Sequence, residues 1–125
     1  MEDLTKLDRP NSMTLQRRDI TRELRLMVIT DRHLARPHEI SEVVEAALVG
    51  GAKAIQLRNK GDSANELLET GRNLRCLTED HGALLLVNDR LDVALAIGAD
   101  GVHLGPKDPP IQEVRKLDSD CLIYT

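Results

Sequence analysis

Five short apolar runs, each of strand length and each followed by a stretch of different periodicity, constrain this chain more than any other feature. They fall at residues 26–30, 54–57, 84–87, 101–104 and 121–124. The first, Leu26-Met27-Val28-Ile29-Thr30, is continuous rather than alternating, the pattern of a strand covered on both faces. After it Ile40, Val43, Val44, Ala47 and Leu48 recur at helical spacing until Gly50-Gly51, where a left-handed cap is expected. The second run leads to a helix opened by Asp62 or Ser63 as N-cap, with Leu67, Gly71, Leu74 and Thr78 on one face and Gly82 as its stop. A shorter helix through Val93, Ala94 and Ile97 ends at Gly98, and Pro109-Pro110 opens a fourth that carries Ile111, Val114 and Arg115.

Five strands alternating with four helices predict an α/β fold on a parallel sheet with right-handed crossovers, either doubly wound or barrel. Periodicity does not choose between them. No glycine-rich fingerprint follows the first strand, against a dinucleotide-binding fold, and polar groups at the strand ends suit the catalytic face of a TIM barrel. A complete (β/α)8 barrel needs about 200 residues or more, so a chain of 125 residues reads as its first five strands. Open edges on the first and fifth strands would invite self-association. Residues 1–24 are mostly polar, interrupted by Arg9-Pro10-Asn11-Ser12, and read as an amino-terminal extension with one short helix at most; residues 25–125 form the barrel unit.

Tyr124 is the only aromatic residue, so the core must be aliphatic. No apolar run approaches the roughly 20 residues that span a bilayer, and the amino terminus is charged where a secretory signal would be apolar. A cytoplasmic protein without membrane contact is expected. The net charge of −4, with no Lys/Arg cluster among aromatics, points away from nucleic acid. Cys76 and Cys121 fit no disulfide or metal spacing and are expected as reduced thiols packed like small apolar groups.

The chemistry gathers where the runs end. Asp89 and Asp108 follow the third and fourth strands, and two carboxylates at neighbouring strand ends suit Mg²⁺, which takes one or two such ligands and completes its shell with water and phosphate. Each alone would serve equally well as the N-cap of the helix after it. Gln56, Arg58 and Lys60 alternate at the end of the second strand; alone they read as a solvated strand end, but beside a carboxylate pair they suit a diphosphate, which a guanidinium can grip through two oxygens. His103, inside an apolar strand, reads as a satisfied core imidazole or as a group behind the site. Thr30-Asp31-Arg32 reads as a helix-opening turn facing the same mouth.

Three motifs occur in order: Q-L-R-x-K at 56–60, V-N-D-R-x-D-x-A at 87–94 and G-A-D-G-V-H-L-G-x-x-D at 98–108. In order and spacing they resemble the thiamine phosphate synthase family, and the resemblance extends over about residues 26–125. It implies a (β/α)8 barrel that joins hydroxymethylpyrimidine diphosphate to thiazole phosphate, giving thiamine phosphate and diphosphate. It further implies Mg²⁺ on Asp89 and Asp108, and the pyrimidine diphosphate on Gln56, Leu57, Arg58, Asn59, Lys60 and Asn88. Arg58 and Lys60 would stabilise the departing diphosphate, with electrostatics the main catalytic contribution. Asn59 stands where the family commonly has an acid, a change expected to be tolerated because its side chain points away from its alternating neighbours. Two alternatives remain: a thiazole tautomerase-like relative, a branch without the paired aspartates, or a truncated half-barrel that binds diphosphate and does no chemistry. The family's thiazole-binding threonine and lysine segment and its glycine-rich phosphate loops follow the fifth strand, and this chain has neither.

Overall fold

The computed structural model describes residues 19–118 and 120–125; most of the expected amino-terminal extension, residues 1–18, lies outside the described residues. In chain order the elements are α1 (Ile20–Glu23), β1 (Met27–Ile29), α2 (Arg32–Ala35), α3 (Ile40–Val49), β2 (Ala54–Leu57), α4 (Ala64–Asp80), β3 (Leu84–Asn88), α5 (Leu91–Ile97), β4 (Gly101–His103), α6 (Ile111–Leu117) and β5 (Leu122–Tyr124). The five strands are all parallel and lie in the order β1-β2-β3-β4-β5. Sequence neighbours are therefore spatial neighbours throughout. A doubly wound sheet reverses its order at a switch point and puts helices on both faces; this sheet does not reverse.

Helix placement agrees. Ile40, Val44 and Leu48 of α3, Leu67 and Leu74 of α4, and Val93, Ala94 and Ile97 of α5 all pack on one face, against Ile55, Leu57, Leu85 and Val87. Side chains alternate along a strand, so Ala54, Gln56, Leu84 and Leu86 point to the opposite, inner face. There Ala54, Leu84 and Leu86 meet Met27, Leu122 and Tyr124, and Ile20 and Leu24 from the α1 segment pack against the same cluster. The end of the expected extension thus contributes to the core. Gly101 also belongs to the sheet interior: a Cβ there would stand 2.7 Å from both Cβ and the carbonyl oxygen of Leu122, so only glycine lets β5 approach this closely.

Local chemistry explains the element ends. Ser63, not Asp62, caps α4 in a capping box with Glu66, which leaves Asp62 for another partner. At the end of α3 the left-handed residue is Gly51, with φ 106°, while Gly50 stays helical. Buried Arg75 on α4 donates from Nη1 to Asp100 Oδ2 at 3.0 Å, and Asp100 Oδ2 also accepts from Leu85 N at 2.9 Å, tying α4 to the amino ends of β3 and β4. Neither cysteine is in a disulfide; Cys121 is buried as expected, but Cys76 is exposed rather than packed. Among the described residues no helix is long and apolar enough to cross a membrane.

Candidate active site

Every polar strand end opens on one side of the sheet. Immediately after β3 the backbone of Asp89 takes φ 63°, a left-handed conformation uncommon outside glycine, while its N–H donates to the His103 carbonyl at 2.9 Å. A helix N-cap is normally extended, and neither aspartate acts as one. Arg90 and Pro110 occupy the cap positions of α5 and α6, without side-chain cap bonds. Asp108 turns back instead, its Oδ2 accepting from Gly105 N at 2.6 Å.

The turn at Asp89 brings its carboxyl group close to that of Asp108. They flank Gly105: a Cβ added there would lie 3.3 Å from Asp108 Oδ2 and 4.0 Å from Asp89 Oδ1. That contact with Asp108, followed by burial and by the Asp108 charge, holds the Asp89 pKa above the usual carboxylate value, while the charges of His103 and Lys60 act the other way. Among the described residues no group of three or more His, Cys, Asp or Glu side chains could hold a metal. The pair itself offers hard oxygens only, a donor set that fits Mg²⁺ with phosphate and water completing the shell.

Beside the pair, between the ends of β2 and β3, lies a cavity of about 170 Å³ whose wall includes Arg58, Asn59, Lys60, Asp62, Asn88 and Asp89. No hydrogen bond or ion pair engages the Arg58 or Lys60 side chain among the described residues. Leu57 lines the wall too, but its side chain belongs to the helix-side core. Asn59 is buried, whereas Arg58 is half-buried and Lys60 exposed. Its Oδ1 accepts from the Thr30 hydroxyl at 3.0 Å, and the same hydroxyl accepts from Arg58 N at 2.9 Å.

Gln56 and His103 lie on the inner face rather than in the cavity wall. Gln56 Nε2 donates to the Tyr124 hydroxyl at 2.7 Å, and that hydroxyl donates to Met27 Sδ at 2.9 Å. Burial raises the Tyr124 pKa, and the Gln56 hydrogen bond opposes it. The His103 ring stacks on Tyr124 with centroids 4.5 Å apart. His103 Nδ1 stands 3.3 Å from Asn88 Nδ2 and 3.4 Å from Gln56 Oε1, so one tautomer accepts from Asn88 and the other donates to Gln56. Asn88 therefore joins the inner cluster to the cavity. The sequence marked Thr30 only as part of a helix-opening turn and Tyr124 only as the single aromatic residue; a lone hydroxyl at a strand end gives no further signal until the strand beside it is known.

The family model described as thiamine monophosphate synthase matches residues 26–123, most of the chain. The chain belongs to this family. Among its relatives, thiamine-phosphate synthase from Pyrococcus abyssi is 50% identical over 101 residues, 81% of this chain and 47% of that protein. The enzyme of the same name from Chloroflexus aurantiacus is 46% identical over 99 residues, 79% of this chain and 46% of that one. Among solved structures, thiamine phosphate pyrophosphorylase from Pyrococcus furiosus superposes with a TM-score of 0.78 at 47% identity, covering 84% of this chain and 50% of that one. The fold is of the TIM-barrel type, and the chain spans about half the length of the relatives it matches.

Proposed function

We propose that residues 25–125 are the amino-terminal part of a (β/α)8 thiamine phosphate synthase, and that the cavity between β2 and β3 takes the diphosphate of hydroxymethylpyrimidine diphosphate. The observation that carries this reading is the close approach of the Asp89 and Asp108 carboxyl groups beside two cations whose side chains have no hydrogen-bond or ion-pair partner among the described residues. Like charges in contact favour a cation, and unpaired cations lining a cavity favour an anion; a metal diphosphate satisfies both.

In the whole enzyme Asp89 and Asp108 would hold Mg²⁺, whose chemistry there is to neutralise the diphosphate oxygens as negative charge grows on them. Arg58 would grip two of those oxygens and Lys60 would add a point charge. The pyrimidine methylene loses diphosphate, and the thiazole nitrogen takes the vacated carbon, giving thiamine phosphate. Asn88, held by His103, orients the substrate at the wall, and the Thr30 hydroxyl fixes the Arg58 backbone. No nucleophile or general base is required of the protein. The paired aspartates favour this reaction over that of a tautomerase-like relative. We also propose a cytoplasmic setting and association through the open β1 and β5 edges, which sedimentation would reveal as a mass above that of one chain.

Calorimetry with inorganic diphosphate tests the reading. Binding is expected only with Mg²⁺ present, abolished in Asp108→Asn and weakened about tenfold in Arg58→Ala, as for loss of one charge-assisted contact. Arg72→Ala, an exposed change on α4, serves as control. Equal binding with and without Mg²⁺ would remove the metal from the site.

A further inference from the structure

The segment 58–62 that lines the cavity contains a carboxylate as well as its two cations. Asp62 stands in the same wall as Arg58 and Lys60, with a side chain only 8% exposed, yet it pairs with neither. Its partner is Arg32, thirty residues earlier. Arg32 Nη2 meets Asp62 Oδ2 at 2.7 Å and Nε meets Oδ1 at 3.2 Å, two roughly parallel bonds, while Nη2 also reaches the Thr70 hydroxyl on α4 at 3.4 Å. Arg32 is absent from the cavity wall and faces the groove between α2, α3 and α4. Its direct contact with the cavity wall is through Asp62.

We infer that Arg32 is a positioning residue that neutralises Asp62, so that the wall of the cavity presents the charges of Arg58 and Lys60 to an anion unopposed. This rests on the diphosphate reading above. Three features support it beyond an ordinary surface pair. Two donors of one planar guanidinium take the two oxygens of one carboxylate, a geometry lysine cannot copy. The carboxylate is nearly buried, so without its partner it would both repel an incoming anion and compete for the two cations. Finally, Arg32 lies two residues after Thr30, whose hydroxyl holds Arg58 N and Asn59, so the stretch just after β1 grips this segment at both of its ends.

The test is titration of the chain with inorganic diphosphate in the presence of Mg²⁺. Arg32→Gln is expected to weaken binding about fivefold at low salt, the size of a partly exposed charge interaction, and less at high salt. Asp62→Asn added to that variant should restore wild-type affinity, and Asp62→Asn alone should bind as tightly as wild type or more tightly. A purely structural tie predicts the reverse, because a second lost partner cannot repair it. The inference is overturned if Arg32→Gln binds like wild type or if the double variant stays weak. Should Arg32→Gln fail to fold by thermal melting, weaker binding by Asp62→Asn alone would overturn it. A wild-type chain that binds no diphosphate with Mg²⁺ removes the underlying reading, and this one with it.

Discussion

Two acidic sites at opposite ends of one sheet are built in opposite ways. At the amino end Asp100 meets a guanidinium, Arg75, and a strand N–H from Leu85, and the cluster is buried. At the carboxyl end Asp89, exposed and with left-handed backbone, lies against another carboxyl group, while the cations beside it have no hydrogen-bond or ion-pair partner among the described residues. The first arrangement lowers the energy of the chain as it stands. The second leaves charge unbalanced, and a ligand of the right charges would complete it. The same residue type thus marks scaffold in one place and site in the other, and the difference lies in whether its partners are opposite or alike.

The largest test of this contrast is Asp100→Ala. It strands Arg75 and should cost about 3–5 kcal/mol in denaturant unfolding, whereas Asp108→Asn should cost almost nothing. Comparable losses at the two ends would end the distinction. Gly101→Ala, at the tight amino-end approach of β4 and β5, should cost about 1–3 kcal/mol by overpacking. Asp89→Gly should go the other way: it relieves the left-handed strain and leaves stability equal or higher by up to about 1 kcal/mol, while Mg²⁺-dependent diphosphate binding is lost.

The smallest effect concerns Arg90 and Asp92, a matched pair near the mouth. The hydrogen bonds from Arg90 hold the Asp92 pKa below the usual carboxylate value. A depressed folded-state pKa contributes stability above the unfolded-state pKa, and that contribution disappears as pH falls through the folded value. Thermal melts of wild type and Asp92→Asn should therefore differ slightly at neutral pH and converge in acid. Divergence in acid would mean the pair does not act through charge.

Much of this was legible in the sequence because strands and helices announce themselves by local spacing. The five apolar runs became five strands, and Ser63 and Gly98 ended or opened helices as their chemistry requires. Periodicity did not choose between doubly wound sheet and barrel, since strand order depends on which elements meet rather than on any one of them; the polar strand ends, the missing glycine fingerprint and the three motifs pointed to the barrel, and the fold is of that type. Asp89 and Asp108 stood out through their motifs, yet neither is a cap: Asp89 fails on a backbone angle that side-chain type alone does not reveal, and Asp108 turns back to Gly105 N while Pro110 takes the cap position. Arg32–Asp62 and Gln56–Tyr124 join residues 30 and 68 positions apart, and neither partner is unusual where it stands.

The consecutive strand order also has a consequence in time. A sheet in which each strand pairs with the one before it can be laid down in the direction of synthesis, every new βα unit meeting an edge already formed. Its crossovers run from 12 residues, between Asn88 and Gly101, to 26, between Leu57 and Leu84, so no strand must wait for a distant partner before it can dock. The wall that carries Arg58, Lys60 and Asp89 needs only β1 to β4 around it. Its geometry can therefore be settled while residues beyond β4 are still being made, and later units join a surface that already has its shape.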